Sequence, residues 1–377
     1  MWIRRTAVAL AVVIAAAGCG SGGSGGDTLK IGFFSPITGA TSADGVSAKN
    51  GALLAVEDIN KKGGKKVELV AYDDQGKPEQ AVTIARKLIQ EDQVAGIVSG
   101  AYSPPTTAAA PIVQQAKIPM LSAYAVSPKI TQAGEYIYRA GPAGAVEGAA
   151  AAVFTKTKLP GPPKKVAVIT GDLDPLIVIS EAFKARATKE GLEVFDGGKF
   201  ALADTDFRPL LGRIKAAAPE AVYAAGYYDN AALLLTQAKE IGLTAPFVFG
   251  STSDSYKVFE LAKDNAAEGA YLTTDFDRGD RPVVSSFISA YKAKYNVEPD
   301  IVAAASYDAV TAMALAAAKG GDLNKAIAGL TNVDLVTGPV DKVSAARDFE
   351  RPLSLQVGKG GKWTHFASLP WADVVGD

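Results

Sequence analysis

Two stretches of the chain carry residue types suited to holding a small anion. In residues 96–107 (GIVSGAYSPPTT) and 118–128 (IPMLSAYAVSP) an apolar run gives way to small polar residues and Pro. Such a pattern marks a buried strand that stops and turns, presenting backbone amides and hydroxyls at its carboxyl end. Two such turns side by side make a cradle. Ser103, just before Pro104 and Pro105, is placed to offer its hydroxyl and the local amide. Tyr102 and Tyr124 would supply aromatic walls with polar tips. Either turn alone is what any strand end requires; their repetition one strand and one helix apart points to a ligand.

Other chemistries find little support. His365 is the sole histidine, in the strand-like run Trp363, Thr364, His365, Phe366, which suits a structural role better than acid–base or nucleophilic catalysis. No phosphate-binding loop of the P-loop type is present. Gly18, Gly20 and Gly23 fit a dinucleotide-binding pattern literally, but neither follow a strand nor open a helix. Asp275, Asp277 and Asp280 lack the Gly and closing Glu of a calcium loop and read as a solvated hinge. The expectation is therefore a binding protein with no enzymatic activity, cofactor or metal. Net charge is −1 without a basic patch in the body of the chain, so nucleic acid is not an expected partner.

These turns need a scaffold. A chain of 377 residues exceeds one ordinary core, and its 48% hydrophobic content is that of a globular protein. From residue 28 onward strand-like runs alternate with amphipathic stretches of helical length, which implies parallel, doubly wound α/β sheets. Ligands bind beyond the carboxyl ends of such strands, and this brings 35–42, 99–107 and 122–127 together. A Pro-rich break at 159–163 precedes a second alternation of similar size.

The N-terminus reads as a secretory signal over residues 1–18, with Arg4 and Arg5 before an apolar run too short to span a bilayer as a permanent helix. Residues 16–19 (AAGC) resemble a bacterial lipobox, which implies lipidation of Cys19, the only cysteine. Residues 19–27 then form a Gly/Ser tether. Apart from this leader no apolar run reads as a membrane span, which argues against a one-chain receptor.

Over 28–363 the chain resembles the branched-chain amino acid (Leu/Ile/Val) binding proteins, the type I periplasmic solute-binding components of ABC importers. The resemblance is carried by 29–39 (LKIGFFSPITG), 72–78 (YDDQGKP), 99–107, 127–131 (SPKIT), 206–207 (DF), 226–228 (GYY) and 306–309 (SYDA), in that order. It implies two α/β lobes joined by a three-crossing hinge that closes on ligand, with crossings near Gly141, Thr274 and Gly338. Lobe one would be 28–141 plus 275–337, and lobe two 142–274 plus 338–377. It implies that Ser103 and the Ala125 amide hold a ligand carboxylate and that Tyr227 faces the ligand from lobe two. It also exposes departures: Val126 replaces a Thr, Ser251 stands where an acidic residue takes the ammonium, and Asp44 stands at an aromatic position. Asp172, Asp174, Asp254 and Asp44 are the alternative ammonium partners. The resulting expectation is a lipid-anchored extracytoplasmic receptor that delivers a small solute, first an amino acid, to an ABC permease. An amide, urea-like or non-amino carboxylate ligand, or a sensor serving a separate signalling partner, are the alternatives.

Overall fold

The computed structural model describes residues 28–39, 41–100 and 102–375. The expected signal, Cys19 and tether lie outside them. The first half of the chain runs β1 (Leu29–Ser35), α1 (Ser42–Lys62), β2 (Val67–Asp73), α2 (Pro78–Gln90), β3 (Gly96–Ser99), α3 (Ser103–Ala116), β4 (Met120–Ser122), α4 (Lys129–Gln132) and β5 (Ile137–Arg139). Its five strands form a parallel sheet in the order β2-β1-β3-β4-β5. β1, β3 and β4 are almost wholly buried, as continuous apolar strands between two helical layers should be.

The chain then crosses into α5 (Gly144–Thr157), β6 (Lys165–Gly171), α6 (Asp174–Lys189), β7 (Glu193–Phe200), α7 (Arg208–Ala216), β8 (Ala221–Ala225), α8 (Tyr228–Glu240), β9 (Phe247–Phe249), α9 (Lys257–Leu261) and β10 (Tyr271–Thr274). It returns through α10 (Pro282–Tyr295), α11 (Ile301–Ala318), α12 (Leu323–Ala328), β11 (Thr331–Leu335), β12 (Gly338–Val343) and β13 (Phe349–Glu350). It ends in β14 (Leu353–Gly358), β15 (Trp363–Leu369) and α13 (Trp371–Val375). The second sheet has the order β15-β14-β10-β9-β8-β6-β7. β6 to β10 pair in parallel, and β14 and β15 add an antiparallel edge.

The late helices join the first lobe. α11 is apolar over its whole length, and its Asp300 caps it by accepting from Ala303 N–H at 3.0 Å. By length and composition α11 could cross a membrane, yet 72% of it is buried, and its residues belong to the core formed by β1, β3, β4 and α1. Gly51 of α1 is what permits this packing, since a Cβ there would sit 2.0 Å from the Ala303 carbonyl oxygen.

The expectation places a lobe boundary at Gly338; in the fold, Val340 of β12 and Phe349 of β13 pack in the core formed with β1, α1 and α11. The second lobe's core resumes at Leu353, so the crossing is at Arg351–Pro352. The reason is local: β11 to β13 form a small antiparallel sheet of their own and so carry no signal of the parallel sheet they cover.

All three crossings meet at Arg351, which is 1% exposed. Its Nη2 donates to the Ala140 carbonyl at the first crossing. Its Nη1 lies 3.9 Å from Asp275 at the second crossing and 3.9 Å from Asp308 of α11. Asp308 in turn accepts from the Val336 and Thr337 amides at 2.9 and 2.7 Å and from the Thr337 hydroxyl at 2.6 Å. Asp275, expected as part of a solvated hinge, is 4% exposed, because the guanidinium rather than water balances its charge.

Candidate functional site

In both sheets the strand order reverses at one place, between β1 and β3 in the first and between β6 and β8 in the second. Crevices form outside the carboxyl ends of strands at such points. The loops after β1, β3 and β4 there face those after β8 and β9.

Ser103 opens α3 and is buried, as are Tyr124, Ala125 and Val126. Pro104 and Pro105 have no N–H, and Thr106 N–H donates to the Tyr102 carbonyl at 3.2 Å. The α3 terminus therefore offers Ser103 itself rather than a row of amides. Ser103 Oγ accepts the Ser127 amide at 3.2 Å, which leaves the hydroxyl proton for another acceptor. Among the described residues none accepts from the Ala125 amide, two positions before Ser127. The Ser127 carbonyl is fixed by Arg139 Nη2 at 2.9 Å, and Arg139 is a buried partner of Asp348 at 3.2 Å. Arg139 thus buttresses the turn, a role that sequence reading did not assign.

The three expected tyrosines form one aromatic wall across the two lobes. Tyr102 meets Tyr124 edge-on at 5.8 Å between centroids and Tyr227 at 5.1 Å. Tyr227 stands at the N-cap of α8, its amide donating to Asn230 at 3.2 Å. The Tyr124 hydroxyl reaches the Ser251 carbonyl at 3.5 Å, so first-lobe and second-lobe walls touch. Val126 turns away from this wall and packs into the second lobe's core, where its carbonyl accepts Gly144 N–H at 3.0 Å.

The candidate carboxylates have different fates. Asp172 is exposed and paired with Lys199 at 3.0 Å, on the sheet edge at β7. Asp174 is likewise exposed and bridges to Lys129 of the first lobe at 3.4 Å. Asp254 is buried, but Arg278 neutralises it in a two-pronged contact at 2.6 and 3.1 Å, and Thr274 donates at 2.8 Å. Asp44 is buried and receives the Tyr102 hydroxyl. Burial pushes its carboxyl up to about 6, opposed by that hydrogen bond.

Glu147 was missed. It is fully buried on α5 and accepts the Ser251 amide at 2.6 Å and the Ser251 hydroxyl at 2.8 Å. Burial raises it to about 7, opposed by these two hydrogen bonds. An acidic charge therefore does stand behind position 251, supplied by another element. The available signal was a lone Glu in the run GAVEGAAAAVF. Neither Asp44 nor Glu147 has a cation within ion-pair distance among the described residues; Lys257 of the second lobe acts on Asp44 at longer range.

His365 contacts Asp277 at 2.7 Å and Ser354 at 3.3 Å, both through Nδ1.

Two lobes of this topology, with a tyrosine-walled cleft at their switch points, define a solute-binding protein of the type I periplasmic class. The profile of the family described as "Periplasmic binding protein" matches residues 28–362, and the chain belongs to that family. It is 32% identical over 319 residues to the leucine-, isoleucine-, valine-, threonine-, and alanine-binding protein of Pseudomonas aeruginosa, covering 83% of this chain and 84% of that one. A branched-chain amino acid transporter substrate binding protein from Streptococcus pneumoniae, solved with isoleucine, superposes with a TM-score of 0.82 at 27% identity, over 90% of this chain and 98% of that one. A solute binding protein of an ABC transporter from Rhodopseudomonas palustris, solved with 3,4-dihydroxybenzoic acid, gives 0.80 at 25% identity, over 91% and 98%.

Proposed function

We propose that the protein is the extracytoplasmic receptor of an ABC importer, anchored through Cys19 and its tether, and that it captures an α-amino acid between its lobes. The single observation that carries this reading is that spare donors and uncompensated acids occur at one cleft. Among the described residues, the Ser103 hydroxyl proton and the Ala125 amide have no acceptor. Asp44, against Tyr102, and Glu147, behind Ser251, are buried carboxylates with no cation within ion-pair distance. A dipolar ligand satisfies both sets at once, its carboxylate on Ser103 and Ala125 and its ammonium near the acids. Tyr102, Tyr124 and Tyr227 then border an apolar side chain. The names of the relatives support the same class, and their membership of ABC transporters supports a permease as partner.

Calorimetric titration with L-leucine, L-valine and L-alanine, each beside its des-amino acid, tests the proposal. Binding of an amino acid at least ~10-fold tighter than its des-amino counterpart is expected. Equal affinity, or preference for the acid without nitrogen, refutes it. A second reading, an aromatic carboxylate, is favoured by the tyrosine cluster and by the neighbour solved with dihydroxybenzoate. Tight binding of hydroxybenzoates with no response to amino acids would establish that reading instead.

A further inference from the structure

The second lobe reads the ligand through a residue that does not itself line the cleft. Ser251 has two donors, its amide and its hydroxyl, and both are directed at Glu147: N–H to Oε1 at 2.6 Å and O–H to Oε2 at 2.8 Å. A serine hydroxyl holds one proton, so the Oγ so engaged presents only lone pairs to any other partner. The Ser251 carbonyl, also an acceptor, borders Tyr124 of the opposite lobe. Ser251 therefore meets the cleft as acceptor only.

The arrangement is held from several directions. Glu147 sits in the first turn of α5, and the small and apolar residues 148–154 that follow it pack in the second lobe's core. Gly250 admits the carboxylate, since a Cβ there would stand 2.4 Å from Oε1. Tyr223, Asp254 and Asp275 also face this region, and none of them supplies a cation to Glu147. Among the described residues, the carboxylate's partners are the two donors of Ser251.

We propose that Glu147 is a positioning residue: by taking both donors of Ser251 it fixes the second-lobe wall as an acceptor, so that this lobe selects ligands with a nitrogen-borne proton over the same acids without it. The proposal rests on the amino-acid reading above and names the part of that site that discriminates.

Glu147→Gln provides the sharpest test, because the amide nitrogen would donate to Ser251 Oγ and turn the hydroxyl proton outward as a donor. Ser251→Ala removes the hydroxyl and leaves Glu147 in place, which keeps the test decisive if the first variant does not fold. The measurement is the ratio of dissociation constants for 4-methylpentanoate and L-leucine, and likewise for the valine and alanine pairs. In the wild type the ratio should favour the amino acid, and in either variant it should fall by ~10-fold or more, with the affinity for 4-methylpentanoate within ~3-fold of wild type. A folded variant that keeps the wild-type ratio overturns the role of Glu147 while leaving the amino-acid reading intact. Parallel loss of both affinities also overturns it, by showing a merely structural residue. A wild-type protein that does not prefer the amino acid sinks the underlying reading, and this inference with it.

Discussion

Replacing Arg351 by Met isolates what holds the three crossings together. Met has similar length and no charge, so the change removes the guanidinium from between Asp275 and Asp308 and from the Ala140 carbonyl. Breaking a buried ion pair by deleting one partner costs ~3–5 kcal/mol, because the remaining charge stays buried and uncompensated. At ~2.1 cal/mol/K per residue, roughly 350 folded residues give an unfolding entropy of ~0.7 kcal/mol/K, so the melting temperature should fall by ~4–7 °C.

The deficit should also depend on pH in a definite sense. Burial already raises Asp275 to about 6, opposed by Arg351, and burial raises Asp308 as well. A carboxyl with a raised folded-state value stabilises the fold fully below its unfolded value, near 4, and loses that contribution as pH rises through its folded value. Without Arg351 both carboxyls move further up, and the loss extends to neutral pH and above. Circular-dichroism melts should therefore show the largest gap between variant and wild type at pH 8 and a smaller one at pH 5.5. Adding Asp308→Asn to the Met variant should recover part of the gap at pH 8. A variant that melts with the wild type at pH 8, or a gap of equal size at both pH values, would refute the argument.

Three further outcomes follow from the site. Ser103→Ala should weaken binding of the preferred amino acid by ~1.5–3 kcal/mol, the range for a hydrogen bond to a charged group, and an unchanged dissociation constant by calorimetry would remove Ser103 from the site. Asp172→Asn should leave affinity within ~2-fold, since Asp172 is exposed and paired with Lys199, and a larger loss would return it to the cleft. Cys19→Ser should move the protein from the membrane to the soluble fraction; continued membrane association and lipid labelling would place the anchor elsewhere.

The sheets and the first-lobe turns were legible because each depends on neighbours in the chain. An apolar run that stops at Ser, Gly and Pro must end a buried strand, and so 96–107 and 118–128 announced both their conformation and their place at the sheet's carboxyl edge. Side-chain direction is not local in this sense. Asp172 and Ser251 both follow second-sheet strands at the same end of the lobe, yet Asp172 meets Lys199 on the outer edge and Ser251 meets Glu147, a residue 104 positions earlier. The lobe served by the late strands is not local either. Residues 333–340 read as a strand, and only the packing of Val340 and Phe349 with Leu335 and Val336 shows which core they join.

The buried carboxylates make the limit of sequence reading sharpest, because one residue type plays opposite parts. Asp254 lies with Arg278, Asp348 with Arg139, and Asp275 and Asp308 with Arg351; in each case the cation arrives from a distant segment and the group is structural. Asp300 is tied to the amide end of α11 and to Ser47. Among the described residues, Asp44 has a tyrosine hydroxyl and Glu147 the donors of one serine. Ionising both in a closed cleft is unfavourable until a positive charge is brought in, which is what burial raising them to about 6 and about 7 expresses. On the proposed amino-acid reading, a ligand ammonium would supply that charge and lobe closure would exclude competing water, so the groups that oppose closure of an empty cleft would favour closure of a filled one.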